Sequence, residues 1–352
     1  MLLKQALKLR ILCSIILLLP VFAGFTLFAD ESQLVSVSGF TMGTSYEVQY
    51  VSPGLVQSDA FVENEIARLL KELDRKIFTT YSPDSELSIL NQAPINSPLS
   101  VSEHLLAVLK LSKEIFELSD GAFDITVAPL VNLWGFGPDQ YNSFYDLPTE
   151  IELEEVLLKV GLMNLFIDDN SLQVTKASDI KFDLSGVAKG YAVDQVARLL
   201  SEFGVESYFV EVGGEIKIKG LKPSGQDWTP AIEAPVYDSP QLFAVLRSLG
   251  ETISLAGSGD YRNYYEREGV RYSHEIDPRS GRPITHNLAA AFVIDESAAR
   301  ADALATAFMV LGPLKSQKLI LREKIKALLI YRSQDNEFQT FVSDGFSRYM
   351  SK

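Results

Sequence analysis

Residues 208 to 220 read YFVEVGGEIKIKG, and this stretch decides the fold class. Two runs of alternating apolar and polar residues flank Gly213-Gly214. A pair of glycines supplies the positive φ angles of a two-residue hairpin, so the two runs pair antiparallel. Further strands surround it: TPAIEAP (229–235), a hairpin across YYEREGVRYSHEI (264–276), AAAFVID (289–295), and ALLIYR and FQTFVS near the end. LFIDDNSLQVTK (165–176) reads as a hairpin around Asp169-Asn170, and Tyr46 to Val51 as a single strand. Apolar residues at helical spacing predict a helix over 59–77, carrying Val62, Ile66, Leu69, Leu70, Leu73 and Ile77 on one face. A second helix is expected after Ser100, with Glu103 closing a capping box and Gly121 near its stop. Others are expected after Gly186 and near Ser297. Interspersed helices and tightly joined strands predict an α+β domain with antiparallel or mixed sheet. A doubly wound parallel fold is disfavoured.

The chain has 352 residues, 47% of them hydrophobic, and a formal net charge of −14. That is enough chain for a sizeable core. The negative balance disfavours nucleic acid and anionic lipid as partners. The first 29 residues differ from the rest. Lys4, Lys8 and Arg10 precede an apolar run from Ile11 to Phe28, which ends before Asp30-Glu31. This pattern reads as a secretory signal, with an uncleaved N-terminal anchor as the alternative. The expected division is therefore a signal or anchor over 1–29 and one domain over 30–352. The only cysteine, Cys13, lies at the start of the apolar run, not at its end after a small residue, so a lipid-modified cysteine is rejected. The remainder has no disulfide, thiolate metal site or cysteine nucleophile. An exported domain without cysteine suggests a bacterial envelope protein.

Three stretches offer chemistry. In SAARADALATAF (297–308), Asp302 and Thr306 are four apart and share a helix face. A carboxylate and a hydroxyl are hard oxygen ligands for Mg²⁺ or Ca²⁺, although from spacing alone a plain polar stripe is the preferred reading. In KFDLSGVAKGYAVD (181–194), a strand ending at Asp183 passes through Ser185-Gly186 into a helix. Free N–H groups at a helix start suit a phosphate, and Lys189 adds charge. The P-loop spacing is absent, and an ordinary strand-to-helix connection remains open. In SDGAFDITVAPLVNLWGF (119–136), Asp124 lies among Phe123, Trp134 and Phe136. These residues read either as a heterocycle site or as core aromatics under a loop. EVGGEI (211–216) and LAGSGDYR (255–262) are glycine-rich turns that either admit a ligand or simply turn the chain. Among three histidines, His104 reads as a solvated helix residue and His286 as a loop residue. His274, beside Asp277-Pro278-Arg279, is the better acid/base candidate.

Taken in order, eight motifs resemble the FAD:protein FMN transferases, the ApbE-type flavin transferases. They are TMGTSYEV (41–48), TTYSPDSELSILN (79–91), GAFDITVAPL (121–130), DLSGVAKGYAVD (183–194), VEVGGEI (210–216), SGDYRNYY (258–265), HEIDPRSGRP (274–283) and ADALATA (301–307). The resemblance implies an exported or membrane-attached enzyme. Such an enzyme moves the FMN half of FAD onto a threonine or serine hydroxyl of a target protein and releases AMP. It implies Mg²⁺, held by Asp302, Thr306 and a backbone carbonyl at Gly186, with Ala188 as the alternative carbonyl. It implies an FAD site lined by Met42, Tyr81, Ala122, Phe123, Asp124, Asp183, Lys189 and Ile276, with His274 as the catalytic base. Family grounds alone point to a subunit of a membrane redox complex as the target. The family often has Ile or Val where this chain has Glu275, and Thr where it has Ser280. Two rivals stay open: an FAD pyrophosphatase giving FMN and AMP, and an envelope flavin carrier without turnover.

Overall fold

In the computed structural model, residues 33–52, 57–137, 147–236, 241–261, 263–335 and 337–351 are described. The apolar segment read as a signal or anchor lies outside them. Eight strands form one sheet: β1 (Gln33–Thr41), β2 (Thr44–Ser52), β3 (Tyr208–Val212), β4 (Glu215–Lys219), β5 (Ile253–Gly259), β6 (Leu288–Asp295), β7 (Lys326–Arg332) and β8 (Phe338–Val342). Their spatial order is their chain order, and every neighbouring pair is antiparallel. The α+β expectation holds. The opening hairpin is β3–β4, with Gly213 at φ +61° and Gly214 at φ +103°. The β1–β2 turn has the same form, with Met42 at φ +48° and Gly43 at φ +74°.

Four helices position the site: α1 (Asp59–Glu72), α2 (Glu103–Leu118), α3 (Ala188–Glu202) and α4 (Ala298–Glu323). α3 packs on β3 and β4, while α4 packs on β5 and β6 and against α3. Strand period decides the layers. Along β7, Ala327 and Leu329 belong to the large core under the helices. Leu328 and Ile330 belong to a second core on the opposite face, with Trp228, Ile232, Phe346 and Tyr349. Burial on both faces explains the unbroken apolar run ALLIY. Ser32–Lys352 forms one compact unit. No helix among the described residues is long and apolar enough to cross a membrane.

Several local readings need correction. The helix read over 59–77 is α-helical only to Glu72 and continues as a π-helical turn, Leu73–Phe78. The second helix is capped by Ser102, whose hydroxyl accepts from the Leu105 N–H at 3.2 Å. Ser100 is unavailable as the cap because it pairs in a short strand with Gln173. No regular strand runs into Asp183. Phe182 is instead clamped by the Asn91 side chain, through N–H to Oδ1 at 2.7 Å and Nδ2 to carbonyl at 3.1 Å. His104 is part-buried, with Nδ1 2.9 Å from the Tyr191 hydroxyl. α4 breaks at Gly312, at φ +73°, followed by Pro313.

Candidate active site

α3 and α4 meet at a glycine. A Cβ on Gly190 would stand 2.3 Å from the Ala298 carbonyl oxygen, so only glycine allows this approach. Asp194, one turn on, accepts from the Ala298 N–H at 3.0 Å and the Ala299 N–H at 3.1 Å, which caps the start of α4. Lys217 from β4 pairs with the same carboxylate at 2.6 Å. This fixes α4 in rotation and presents Asp302 and Thr306 to the turn before α3. Asp302 is 3% exposed, and its Oδ2 accepts from the Gly190 N–H at 3.1 Å. A Cβ on Gly186 would lie 3.1 Å from Thr306 Oγ1 and 3.3 Å from Phe123 Cε2, so the turn packs closely against the Thr306 and Phe123 side chains. At the start of α3 the Val187 side chain makes no cap, and Asp302 serves the Gly190 N–H instead.

These residues line one cavity of about 850 Å³. Ala122, Phe123, Asp124, Asp183, Gly186, Lys189, His274, Ile276, Asp302 and Thr306 all lie on its wall. Met42 and Tyr81 are not among the lining residues, and Tyr81 is 78% exposed. Asp124 is buried and already engaged. Its Oδ1 accepts from the Thr126 N–H at 2.8 Å and hydroxyl at 2.6 Å, and its Oδ2 from the Leu162 N–H at 3.2 Å. Burial nevertheless pushes its carboxyl above the usual range, against those bonds. The Asp183 N–H donates to the Ile125 carbonyl at 2.7 Å, which ties the α3 turn to the Asp124 segment.

The cavity's charge is concentrated at Lys189. Its Nζ lies 2.7 Å from Glu215 Oε1 and 4.0 Å from Asp302 Oδ1. Burial opposes the ammonium's charge, but Asp302 and Glu215 outweigh it and raise the Lys189 pKa. Burial pushes the Glu215 carboxyl up to about 8, with Lys189 opposing and Asp302 adding to the rise. Burial also raises Asp302, against Lys189 and the Gly190 N–H. Two buried carboxyl groups with raised pKa share one ammonium, and a divalent cation at Asp302 would favour their ionised forms. The buried Glu215 Oε2 has no hydrogen-bond partner, as expected of a site built for a further charged group. Among the described residues no cluster of three or more Asp, Glu, His or Cys could hold a metal ion. A cation at Asp302 would therefore complete its shell with hydroxyl, backbone, phosphate and water oxygens. That donor set fits Mg²⁺, which commonly uses one or two carboxylates together with substrate phosphates. The sequence reading missed Glu215 and Asp194 as parts of this site.

His274 reaches the cavity from the long β5–β6 connection. Its Nδ1 lies 2.9 Å from the Asn263 carbonyl, and its backbone N–H donates to the same oxygen at 3.2 Å. A carbonyl only accepts, so Nδ1 carries the proton and Nε2 bears the lone pair in the neutral ring. Nε2 lies 3.8 Å from Glu275 Oε1, which accepts from the Ser258 hydroxyl at 2.7 Å. The loop is held from below. Trp134, Tyr272, Tyr265 and Phe136 stack in sequence at centroid spacings of 5.8, 5.2 and 5.3 Å. Trp134 Nε1 donates to the Gly281 carbonyl at 2.7 Å. Trp134 is thus a core aromatic under the loop, the simpler of its two readings. Asp277 accepts from the Arg279 N–H at 3.0 Å and from its guanidinium at 2.8 and 2.7 Å. Burial opposes that charge, yet the Arg279 bonds hold the Asp277 carboxyl below its ordinary range.

The ApbE family matches residues 42–329. A FAD:protein FMN transferase of Vibrio cholerae is 41% identical over 327 residues, 91% of this chain and 94% of that protein. One of Escherichia coli is 37% identical over 322 residues, 91% of this chain and 90% of that protein. The solved flavinyl transferase ApbE of Pseudomonas stutzeri, in its apo form, superposes with a TM-score of 0.82 at 38% identity. The match covers 90% of this chain and 97% of that one. With the family profile spanning most of the chain and these relatives matching about nine-tenths of it, this protein belongs to the ApbE family.

Proposed function

We propose that this protein is an FAD:protein FMN transferase. It moves the FMN half of FAD, with Mg²⁺, onto a threonine or serine hydroxyl of a target protein and releases AMP. One observation carries the reading: His274, whose Nδ1 is engaged by the Asn263 carbonyl, lines the same cavity as Lys189, Asp302 and Thr306. That cavity combines a base with a site for a phosphate and a cation.

The acceptor hydroxyl is a poor nucleophile until it loses its proton. Nε2 of His274 takes that proton as the hydroxyl oxygen bonds to the FMN phosphorus. The bond from that phosphorus to the AMP phosphate breaks, and its electron pair leaves with AMP. Lys189 and the start of α3 hold the diphosphate. Asp302, Thr306 and the Gly186 carbonyl would hold the cation. Magnesium, when bound, offsets the charge that builds on the diphosphate oxygens. Phe123, Asp124 and Ile276 face the rest of FAD, and Met42 and Tyr81 are assigned to its outer end by resemblance.

The basic start and apolar run of residues 1–29 support export. The place of action is then the bacterial periplasm or the periplasmic face of the inner membrane. The acceptor belongs to a subunit of a membrane redox complex. The test is to incubate the protein with FAD, Mg²⁺ and a candidate acceptor and to weigh the acceptor intact. A mass gain equal to covalently attached FMN is expected. An unchanged acceptor mass, with FAD consumed, contradicts the transferase reading.

A further inference from the structure

The Gly213-Gly214 turn has a use beyond joining β3 to β4. A Cβ on Gly213 would stand 2.7 Å from Thr44 Cγ2 and 3.1 Å from Lys189 Cδ. The stem of Lys189 therefore lies across the bare face of Gly213. Two residues on, Glu215 receives its ammonium at 2.7 Å and is itself 2% exposed. The turn and its glutamate together enclose one side chain.

Lys189 has a second carboxylate within reach. Asp302 Oδ2 is committed to the Gly190 N–H, so Oδ1 is the oxygen left for a cation. Lys189 Nζ stands 4.0 Å from that oxygen, beyond hydrogen-bonding distance. Without a competing partner, an ammonium this close to a buried carboxylate would close onto Oδ1 and occupy it.

We infer that Gly213–Glu215 is a socket for Lys189 and that Glu215 is a positioning residue. It holds the ammonium off Asp302 Oδ1 and keeps that oxygen open to a divalent cation, while the ammonium stays beside the cavity for phosphate. The inference rests on reading Asp302 as a cation ligand, so its test measures cation binding apart from turnover.

Mn²⁺ serves as the probe. The full chain, without FAD, is titrated with Mn²⁺ while free Mn²⁺ is followed by electron paramagnetic resonance. The proteins are the parent, Asp302→Asn, Glu215→Gln, Lys189→Met and the double variant Glu215→Gln/Lys189→Met. Binding is expected in the parent and absent in Asp302→Asn. Glu215→Gln should bind about tenfold more weakly, the order expected when one charge-assisted bond is redirected. The double variant should return to within about threefold of the parent, because the intruding ammonium is gone. A crystal structure of Glu215→Gln should show Nζ within about 3 Å of Asp302 Oδ1. That position separates occupation of the oxygen from the mere loss of a negative charge. Parent-like binding in Glu215→Gln, or Lys189 unmoved in its crystal, overturns the inference. A double variant as weak as Glu215→Gln also overturns it, since Glu215 would then be a ligand itself. No Asp302-dependent binding in the parent removes the cation reading and this inference together.

Discussion

His274 holds one proton on Nδ1 against the Asn263 carbonyl, which leaves Nε2 as the base, and the residue lines the cavity. His274→Ala should therefore fold and bind FAD, yet lose transfer by roughly 10²- to 10⁴-fold, the usual contribution of a general base. His274→Asn should lose as much, because an amide cannot take up a proton at neutral pH. If orientation of the diphosphate were the role, asparagine would recover much of the rate. The parent's rate should fall toward acid, since a protonated imidazole accepts nothing further, and this limb should vanish in both variants. A pH–rate profile of the three proteins checks this, and a limb that persists without His274 assigns the base elsewhere. Asp277 is a weak substitute, being committed to Arg279. His274, Asp302 and Thr306 were singled out from the sequence as candidates, by residue type, by a four-residue spacing and above all by the ordered set of motifs. Glu215 was not, because its meaning comes from Lys189, 26 residues earlier and on another element. Asp194 was hidden for the same reason: it caps a helix that starts about a hundred residues later.

The α3–α4 contact is the element on which the site depends. Gly190→Ala would drive a methyl group into the Ala298 carbonyl, a backbone atom that cannot step aside. The expected cost is about 1–3 kcal/mol in unfolding free energy, as for overpacking generally. Activity should fall further than stability, because the Gly190 N–H holds Asp302 in place. Denaturant unfolding and FMN transfer, measured on the same preparation, check both; a variant with parental stability and rate refutes the close-approach argument. Most elements could be read from periodicity and turn residues. Those misread depended on distant partners: Ser100 on Gln173, and Phe182 on Asn91. β1 escaped because it is an edge strand with only Val37 and Thr41 buried, so its alternation is faint.

At the scale of the molecule, eight strands in chain order carry the site in their connections. α3 precedes β3, His274 lies between β5 and β6, and Asp302 lies between β6 and β7. The antiparallel class was legible because each hairpin declares itself locally. The closure of the three connections around one cavity was not, and only the ordered set of motifs hinted at it. Every residue assigned to the site lies after Gly39. A chain starting at Asp30 should therefore be soluble and as active as the full chain, and gel filtration with a transfer assay checks this. Aggregation or inactivity would mean that the apolar segment supports the fold. The central claim is that FMN passes to a protein hydroxyl and not to water. Its most direct test counts AMP released against FMN attached, with and without acceptor, in the presence of Mg²⁺. The account predicts about one AMP for each FMN attached, as the balanced transfer requires, and little AMP without acceptor. Rapid AMP release that ignores the acceptor would contradict it and make the protein a pyrophosphatase.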